Sequence, residues 1–287
     1  MSKLTWRLLP LLAIPLLMLL GAAERHARPS LLVYDFNLNL GPAGNHDHVR
    51  PLGLARPVTQ DQFPADVVKL GAYARHVETV PGFAVLAFVP YDFTNPASPQ
   101  VWRAALPLLA RLEAPLWVIV RRAPSDAAVR RLLEEMTTAC KSAGIETVIY
   151  PHWYTSIETA AEASALIRQL GHSNLKNSLH TCHEIRSGKQ YALGRVASNH
   201  AAVSTLVTIA GADANAYAGP GAAVIPWSDA IKPLDEGAFS LLPFLQGLHD
   251  AGYDGRVILH TFGITNNPGH LRRSLRKYAE YIEQLRP

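Results

Sequence analysis

The chain has 287 residues, 48% of them hydrophobic, with 27 Lys and Arg against 23 Asp and Glu for a net charge of +4. Part of that excess sits in Lys3, Arg7, Arg25 and Arg28, and the remaining cations are scattered rather than banded, so nucleic acid is not the expected partner. Only two cysteines occur, Cys140 and Cys182; an oxidising compartment would let them pair, and their spacing leaves open whether they approach each other.

The first residues carry Lys3 and Arg7, then an apolar run from Leu8 to Gly21 containing Pro10 and Pro15, then Gly21-Ala22-Ala23. This pattern predicts a secretory signal cleaved near Ala23, with residues 24–30 as a short leader. The run is shorter than the ~20 residues of a bilayer-spanning helix, so an exported, periplasmic or secreted protein without stable membrane insertion is expected. Residues 31–287 then have the size of a single (β/α)8 barrel domain, roughly 250 residues.

In chain order, Leu31 to Leu38 reads as a first strand, followed by a polar loop with His46 and His48. A helix is predicted over Gln60 to Leu70 and a short second strand over Tyr73 to Val77, with only Pro81-Gly82 before the next strand at Phe83 to Val89, so the second helix is missing or degenerate. Regular alternation follows: a helix at Pro99 to Leu112, a strand at Leu116 to Val120, and a helix at Asp126 to Ala143 capped by Ser125 and ended by Gly144. Further strands are predicted at Glu146 to Tyr150, Leu175 to Leu179, Thr205 to Ile209 and Arg256 to Thr261. Further helices are predicted at Ser156 to Leu170, Gln190 to Asn199, Ala238 to Ala251 and Asn267 to Gln284. Strands separated by helices of this length pair in parallel with right-handed crossovers, and eight of them close economically into a TIM barrel. A doubly wound sheet would need a phosphate-binding glycine fingerprint that Gly41-Pro42-Ala43-Gly44 does not supply.

The C-terminal ends of such strands converge on one pocket, and chemistry-bearing residues gather there. Tyr150-Pro151-His152 follows the fifth strand, His180-Thr181-Cys182-His183-Glu184 the sixth and Ala210-Gly211-Ala212-Asp213 the seventh. His152, His180, His183 and His260 are candidate ligands of a borderline divalent metal such as Zn, Mn or Co, which accepts neutral imidazole; each is alternatively a core histidine bonded to backbone. Glu158, Glu184 and Asp213 are candidate proton carriers, although a carboxylate opening a helix, as Glu158 does in this reading, is also explained by the helix dipole. Trp153, Tyr154 and Trp227, with Tyr217, offer faces on which a sugar ring stacks, or simply pack. Lys232 and Arg186 are candidate anion contacts.

GIETVIYPH (Gly144 to His152), Glu158, HTCHE (His180 to Glu184), AGAD (Ala210 to Asp213), IKPLDEG (Ile231 to Gly237) and LHTFGI (Leu259 to Ile264) together resemble the xylose-isomerase-like barrels of sugar phosphate isomerases and epimerases, over about Ala114 to Leu285. The resemblance implies a divalent metal held by Glu, Asp, His and Glu at the ends of strands five to eight, the two Glu doubling as acid and base. The matching positions here are Tyr150, His180, Ala210 and His260, so neither the usual ligand set nor the usual proton transfer carries over. The sequence is more similar to a divergent branch with Tyr-Pro-His on strand five, Asn-Leu-Cys-His on strand six and Asn-Gly-Ala-Asp on strand seven, departing from it at His180 and Ala210. In related zinc-dependent endonucleases the histidine matching His183 coordinates metal.

These readings lead to an exported isomerase- or epimerase-type enzyme on a small sugar, using a divalent metal in a histidine-rich site. A lyase or hydrolase on keto-glycosides and a non-catalytic sugar-binding barrel are the alternatives. Phosphodiester chemistry would need a richer ligand set and a basic stripe.

Overall fold

The computed structural model describes residues 31–34, 57–58, 86, 88–213, 226–265 and 267–286. Residues 1–30, on which the export signal and leader are read, lie outside them, and among the described residues no helix is long and apolar enough to cross a membrane. The predicted helix and strand at 60–70 and 73–77, the degenerate second helix, and His46, His48 and Tyr217 also lie outside the described residues.

The strands are β1 (Leu31–Tyr34), β2 (Pro57–Val58), β3 (Phe88–Asp92), β4 (Leu116–Arg121), β5 (Thr147–Ile149), β6 (Leu175–His180), β7 (Ser204–Ile209) and β8 (Arg256–Leu259). They form one parallel sheet in the order β2-β1-β8-β7-β6-β5-β4-β3. That is the cyclic order of a (β/α)8 barrel, with β2 and β3 as the ends of the hydrogen-bonded ladder among the described residues. Around it run the longer helices α1 (Ser98–Arg111), α2 (Asp126–Ser142), α3 (Ala160–Leu170), α5 (Leu193–His200), α7 (Leu242–Asp250) and α8 (Pro268–Gln284), with short helices α4 (Thr181–Arg186) and α6 (Trp227–Ala230) at the strand ends.

The strands are near-continuous apolar runs because both faces are covered, and their period of two sorts side chains between two layers. On β4, Trp117 and Ile119 pack inside the barrel with Leu32, Tyr34, Phe88, Val148, Tyr150, Leu206 and Ile258, whereas Leu116, Val118 and Val120 pack outward against α1 and α2. The same alternation runs through β6, where Leu179 faces the helices and Ser178 and His180 face inward. Continuing the count two residues beyond Tyr150, Ile119 and Ile258 points His152, Arg121 and His260 into the barrel mouth.

Local signals explain most element ends. Ser125 accepts from the Ala128 N–H at the start of α2, and Gly144 takes a positive φ of 73° just after it. Helix α3 begins later than expected, because Thr159 is the N-cap and Glu162 completes a capping box. Glu158 therefore precedes the helix instead of lying in its first turn.

Strand β3 is shifted from the expected 83–89 to Phe88–Asp92 and runs through Pro90; a proline without an N–H is tolerated here because β3 ends the ladder and pairs only with β4 among the described residues. The strand beside β1 is Pro57–Val58, too short to be marked by hydrophobic periodicity. Strand β8 stops at Leu259, so His260 follows the strand instead of lying within it, although its N–H still bonds the Ile209 carbonyl at 2.8 Å. Helix α4 was not foreseen; it leaves β6 without an intervening loop.

Cys140 and Cys182 are both buried and free, in different clusters of the core between the sheet and the helices.

Trp117 is fully buried at the centre of the barrel. Trp117→Ala is expected to cost about 3–5 kcal/mol of unfolding free energy, the range for large buried aromatics, read from the shift of the urea-denaturation midpoint.

Candidate active site

The floor of the barrel mouth is an aromatic stack. Tyr150 lies flat on His180, with centroids 3.8 Å apart and planes 5° from parallel, and on Trp117 at 4.7 Å; Tyr34 continues the stack at 6.2 Å from Trp117. A hydrogen-bonded chain fixes its register. Trp117 Nε1–H donates to Ser178 Oγ (2.9 Å), and Ser178 donates its single proton to the Ile149 carbonyl (2.7 Å). The 2.7 Å contact between Ser178 Oγ and His180 Nε2 must then carry the proton on Nε2, which leaves Nδ1 to accept from Thr208 Oγ1 at 2.7 Å. His180 is thus a neutral imidazole with both nitrogens committed, consistent with burial holding its pKa well below the ordinary value. The sequence placed His180 among the metal ligands; in this arrangement it is a structural histidine with no lone pair to offer.

Above the stack is a cleft of about 220 Å³ lined by Phe88, Ile119, Arg121, Tyr150, His152, His183, Trp227, Ile231, His260 and Phe262. His183 projects from α4, its ring centroid 4.0 Å from His152, 5.4 Å from Trp227 and 6.4 Å from His260. It is 3% exposed, and neither ring nitrogen has a hydrogen-bond partner among the described residues. His152 is held by the turn after β5: its N–H bonds the Ile157 carbonyl, and Nδ1 lies 2.8 Å from the Trp153 carbonyl. A carbonyl only accepts, so Nδ1 carries the proton and Nε2 is a bare acceptor. His260 Nδ1 accepts weakly from the Phe262 N–H at 3.4 Å, and its ring meets Tyr34 edge-on.

All three imidazoles are held neutral. Burial is the chief cause, lowering His152 to about 4 and His260 to about 3 and pushing His183 well down; neighbouring histidines add to it for His183 and His260, Arg121 and Arg186 for His152, and Arg186 also for His183.

Of the predicted proton carriers, none lines the cleft among the described residues. Glu184 is buried behind α4, where it accepts from the Ala160 N–H at 2.6 Å and so caps α3; burial raises its pKa to about 7. Glu158 lies half-buried beside Glu162, its pKa raised first by burial and then by that neighbour. Asp213 is paired with Lys232 at 3.1 Å, which occupies both the predicted acid and the predicted cation.

Arg186 is buried between two indoles, its guanidinium carbon 4.0 Å from the Trp153 centroid and 4.1 Å from that of Trp227. Trp227 also lines the cleft, and Trp153 meets it edge-on at 6.1 Å. Tyr154 is 83% exposed at a positive φ of 65° and stands outside the cleft. The stacking surface is thus Trp227, with Trp153 supporting it.

The sequence reading missed Arg121 as a cleft residue and Cys182 as a ligand candidate. Counting by twos from Trp117 would have found Arg121. Cys182 had been weighed only as a disulfide partner, yet its Sγ lies with ligand atoms of His183 and His260, all within 4.8 Å of one another.

The usual ligand positions of such barrels do not fit a metal here. Tyr150 is in the stack, His180 has both nitrogens bonded and Ala210 has no ligating atom. The orphaned nitrogens of buried His183, beside His260 and Cys182, do fit one.

Residues 65–282 match the family model for the xylose isomerase-like TIM barrel, and the chain belongs to that family. Among solved structures, a xylose isomerase-like TIM barrel/4-hydroxyphenylpyruvate dioxygenase fusion protein is 16% identical with a TM-score of 0.68; the match covers 91% of this chain, which spans only 44% of that protein. The IOLI protein with a bound zinc atom is 12% identical over 90% of this chain and 99% of its own, with a TM-score of 0.66. A 3-keto-D-glucoside 4-epimerase from E. coli is 14% identical over 89% of this chain and all of its own (100%), with a TM-score of 0.61. No curated protein matches the chain. At these identities the likeness shows the barrel.

A histidine whose pKa is lower folded than unfolded binds fewer protons in the native state, so stability is lost as pH falls below about 6.5 and levels off near the folded value. His152, His180, His183 and His260 all act in this sense, and Glu184, raised to about 7, opposes them as one group. Urea midpoints of the metal-free protein are expected to fall steeply between pH 6.5 and pH 4, with no comparable change between pH 7 and pH 8.

Proposed function

We propose that the protein is an exported isomerase or epimerase of a small sugar or keto-sugar, working in the cleft above the Tyr150–His180 stack with a divalent metal bound among its histidines. The observation that carries the reading is the convergence of His152, His183 and His260 beside Trp227 at the C-terminal mouth of a xylose isomerase-like barrel. Support also comes from the zinc atom in the IOLI protein and from the epimerase activity in the names of similar structures. The basic, apolar and small-residue pattern of residues 1–23 supports export.

The indole of Trp227 offers a plane for the C–H face of a sugar ring, and three neutral imidazoles offer donors and acceptors to its hydroxyls. His183 and His260 are the residues that would hold the metal, which when bound supplies a Lewis acid that polarises a substrate carbonyl or hydroxyl. With carboxylates absent from the described lining, His152 takes their place as proton acceptor: a proton on the carbon beside the carbonyl passes to Nε2, and the bonding pair moves toward the carbonyl oxygen. Return of that proton to the former carbonyl carbon, with the hydroxyl proton of the adjacent carbon passing to the former carbonyl oxygen, gives an isomer; delivery of a solvent proton to the opposite face of the original carbon, with the first proton leaving His152 to solvent, gives an epimer. Arg121, at the rim, suits negative charge that develops on the substrate oxygens.

A sugar-binding barrel without catalysis is the second reading, favoured by the loss of the usual ligands at Tyr150 and Ala210.

The test is incubation of the protein in deuterium oxide with free sugars and keto-glycosides, with and without added zinc, manganese or cobalt, followed by proton NMR. Deuterium incorporation beside a carbonyl, with a changed isomer ratio, is expected for at least one substrate; sugar binding without exchange under every metal would leave the non-catalytic reading. His152→Ala is expected to lower exchange by at least 10²-fold with little change in sugar affinity. The acid limb of kcat/KM should lie below the ordinary histidine range, because burial disfavours the protonated form of His152.

A further inference from the structure

We propose that Cys182, with His183 and His260, forms a thiolate–imidazole metal site that prefers zinc or cobalt to magnesium or manganese. This deepens the reading of the cleft as metal-dependent and rests on it only for the place of the site. Three observations carry it.

The first is proximity. Sγ of Cys182 and one ring nitrogen from each histidine lie within 4.8 Å of one another. Ligand atoms around a tetrahedral zinc, at Zn–S ~2.3 Å and Zn–N ~2.0–2.1 Å, are roughly 3.3–3.8 Å apart, so the set lies close to the spacing that a bound ion would require.

The second is an unmet demand. His183 is 3% exposed with neither ring nitrogen bonded among the described residues, whereas His180, three residues earlier, has both nitrogens satisfied by hydroxyls. Burying an imidazole with its nitrogens unpaired is unfavourable, and coordination of a metal ion removes that cost.

The third is architecture. Helix α4 follows β6 directly, so that His183 lines the cleft while Cys182 packs behind it with Leu179 and Ile185, and His260 reaches both from the end of β8. Cys182 is free, and the other cysteine, Cys140, is in a different cluster of the core, so no disulfide competes for the thiol.

The donor types set the preference. A thiolate with two imidazoles is a soft-to-borderline set suited to zinc and its cobalt surrogate, whereas magnesium and manganese favour all-oxygen shells. Three protein ligands leave one position toward the cleft, where His152 stands 4.0 Å from His183 between ring centroids. That is the open arrangement of a catalytic zinc site.

The experiment is titration of the chelator-treated full chain with Co²⁺ alone, followed by absorption spectroscopy. One equivalent is expected to give intense visible bands of tetrahedral cobalt together with a near-ultraviolet thiolate-to-cobalt charge-transfer band. Cys182→Ser should abolish the charge-transfer band, Cys140→Ser should retain it, and His183→Ala should weaken Co²⁺ binding at least tenfold. X-ray absorption of the zinc-loaded wild type supplies a readout that needs no variant: one sulfur scatterer at ~2.3 Å is expected.

Cobalt bound without the charge-transfer band, a band that survives Cys182→Ser, or a zinc shell without sulfur would each overturn the proposal. Because no sugar is present, the outcomes separate. Turnover with a sulfur-free site sinks the thiolate and spares the sugar reading, and a sulfur-bound metal without turnover on any sugar does the reverse.

Discussion

The proton on Ser178 fixes more of this barrel mouth than any other single atom. Because the Ile149 carbonyl takes it, His180 must donate through Nε2 and accept through Nδ1, and its ring is pinned parallel to Tyr150. Tyr150 in turn lies on Trp117, whose indole N–H returns to the same serine oxygen. The result is a closed circuit of hydrogen bonds and stacked rings across β4, β5 and β6. It fills the level of the strand ends, and the imidazoles of the cleft stand one level outward, on α4 and on the residues following β5 and β8.

That displacement changes the electrostatics. A barrel mouth lined by carboxylates is negative and attracts hard cations; this one, among the described residues, presents three imidazoles, an arginine and no acid. Burial is the largest influence on each imidazole and favours the neutral form, so hydrogen-bond acceptance survives in a site with little local negative charge. The acids near it serve the scaffold: Glu184 caps α3 and Asp213 ties the segment after β7 to Lys232. Arg186, clamped between Trp153 and Trp227, stiffens the aromatic wall. A desolvated cation over an indole is worth about 2 kcal/mol, enough to hold both rings in place without using the cleft side of Trp227.

Where sequence and structure agree, the signal was local and repeated. Leu116–Arg121 and Ser204–Ile209 are strands because β-branched and aromatic residues run continuously between helices, and α2 starts at Ser125 because its oxygen meets a free N–H. Where they differ, a partner far along the chain decided. Pro90 enters a strand because β3 lies at an end of the ladder, and Glu184 faces the N-terminus of α3 because α4 follows β6 without a loop. His152, His183 and His260 were legible as candidates, since each follows a predicted strand or ends one, but nothing local distinguished His180 from them. That distinction needed Ser178 and Thr208 on two neighbouring strands.

The amino-acid order alone determined a parallel βα barrel and the clustering of its histidines at one mouth, because strand period, helix caps and turn residues act over a few positions. Tertiary structure decided which of those histidines keeps a free lone pair, which acids face away, and that a cysteine joins two imidazoles. These are properties of atoms brought close together by strands 28 or more residues apart, such as those carrying Ile149, Ser178 and Thr208, and no local pattern encodes them.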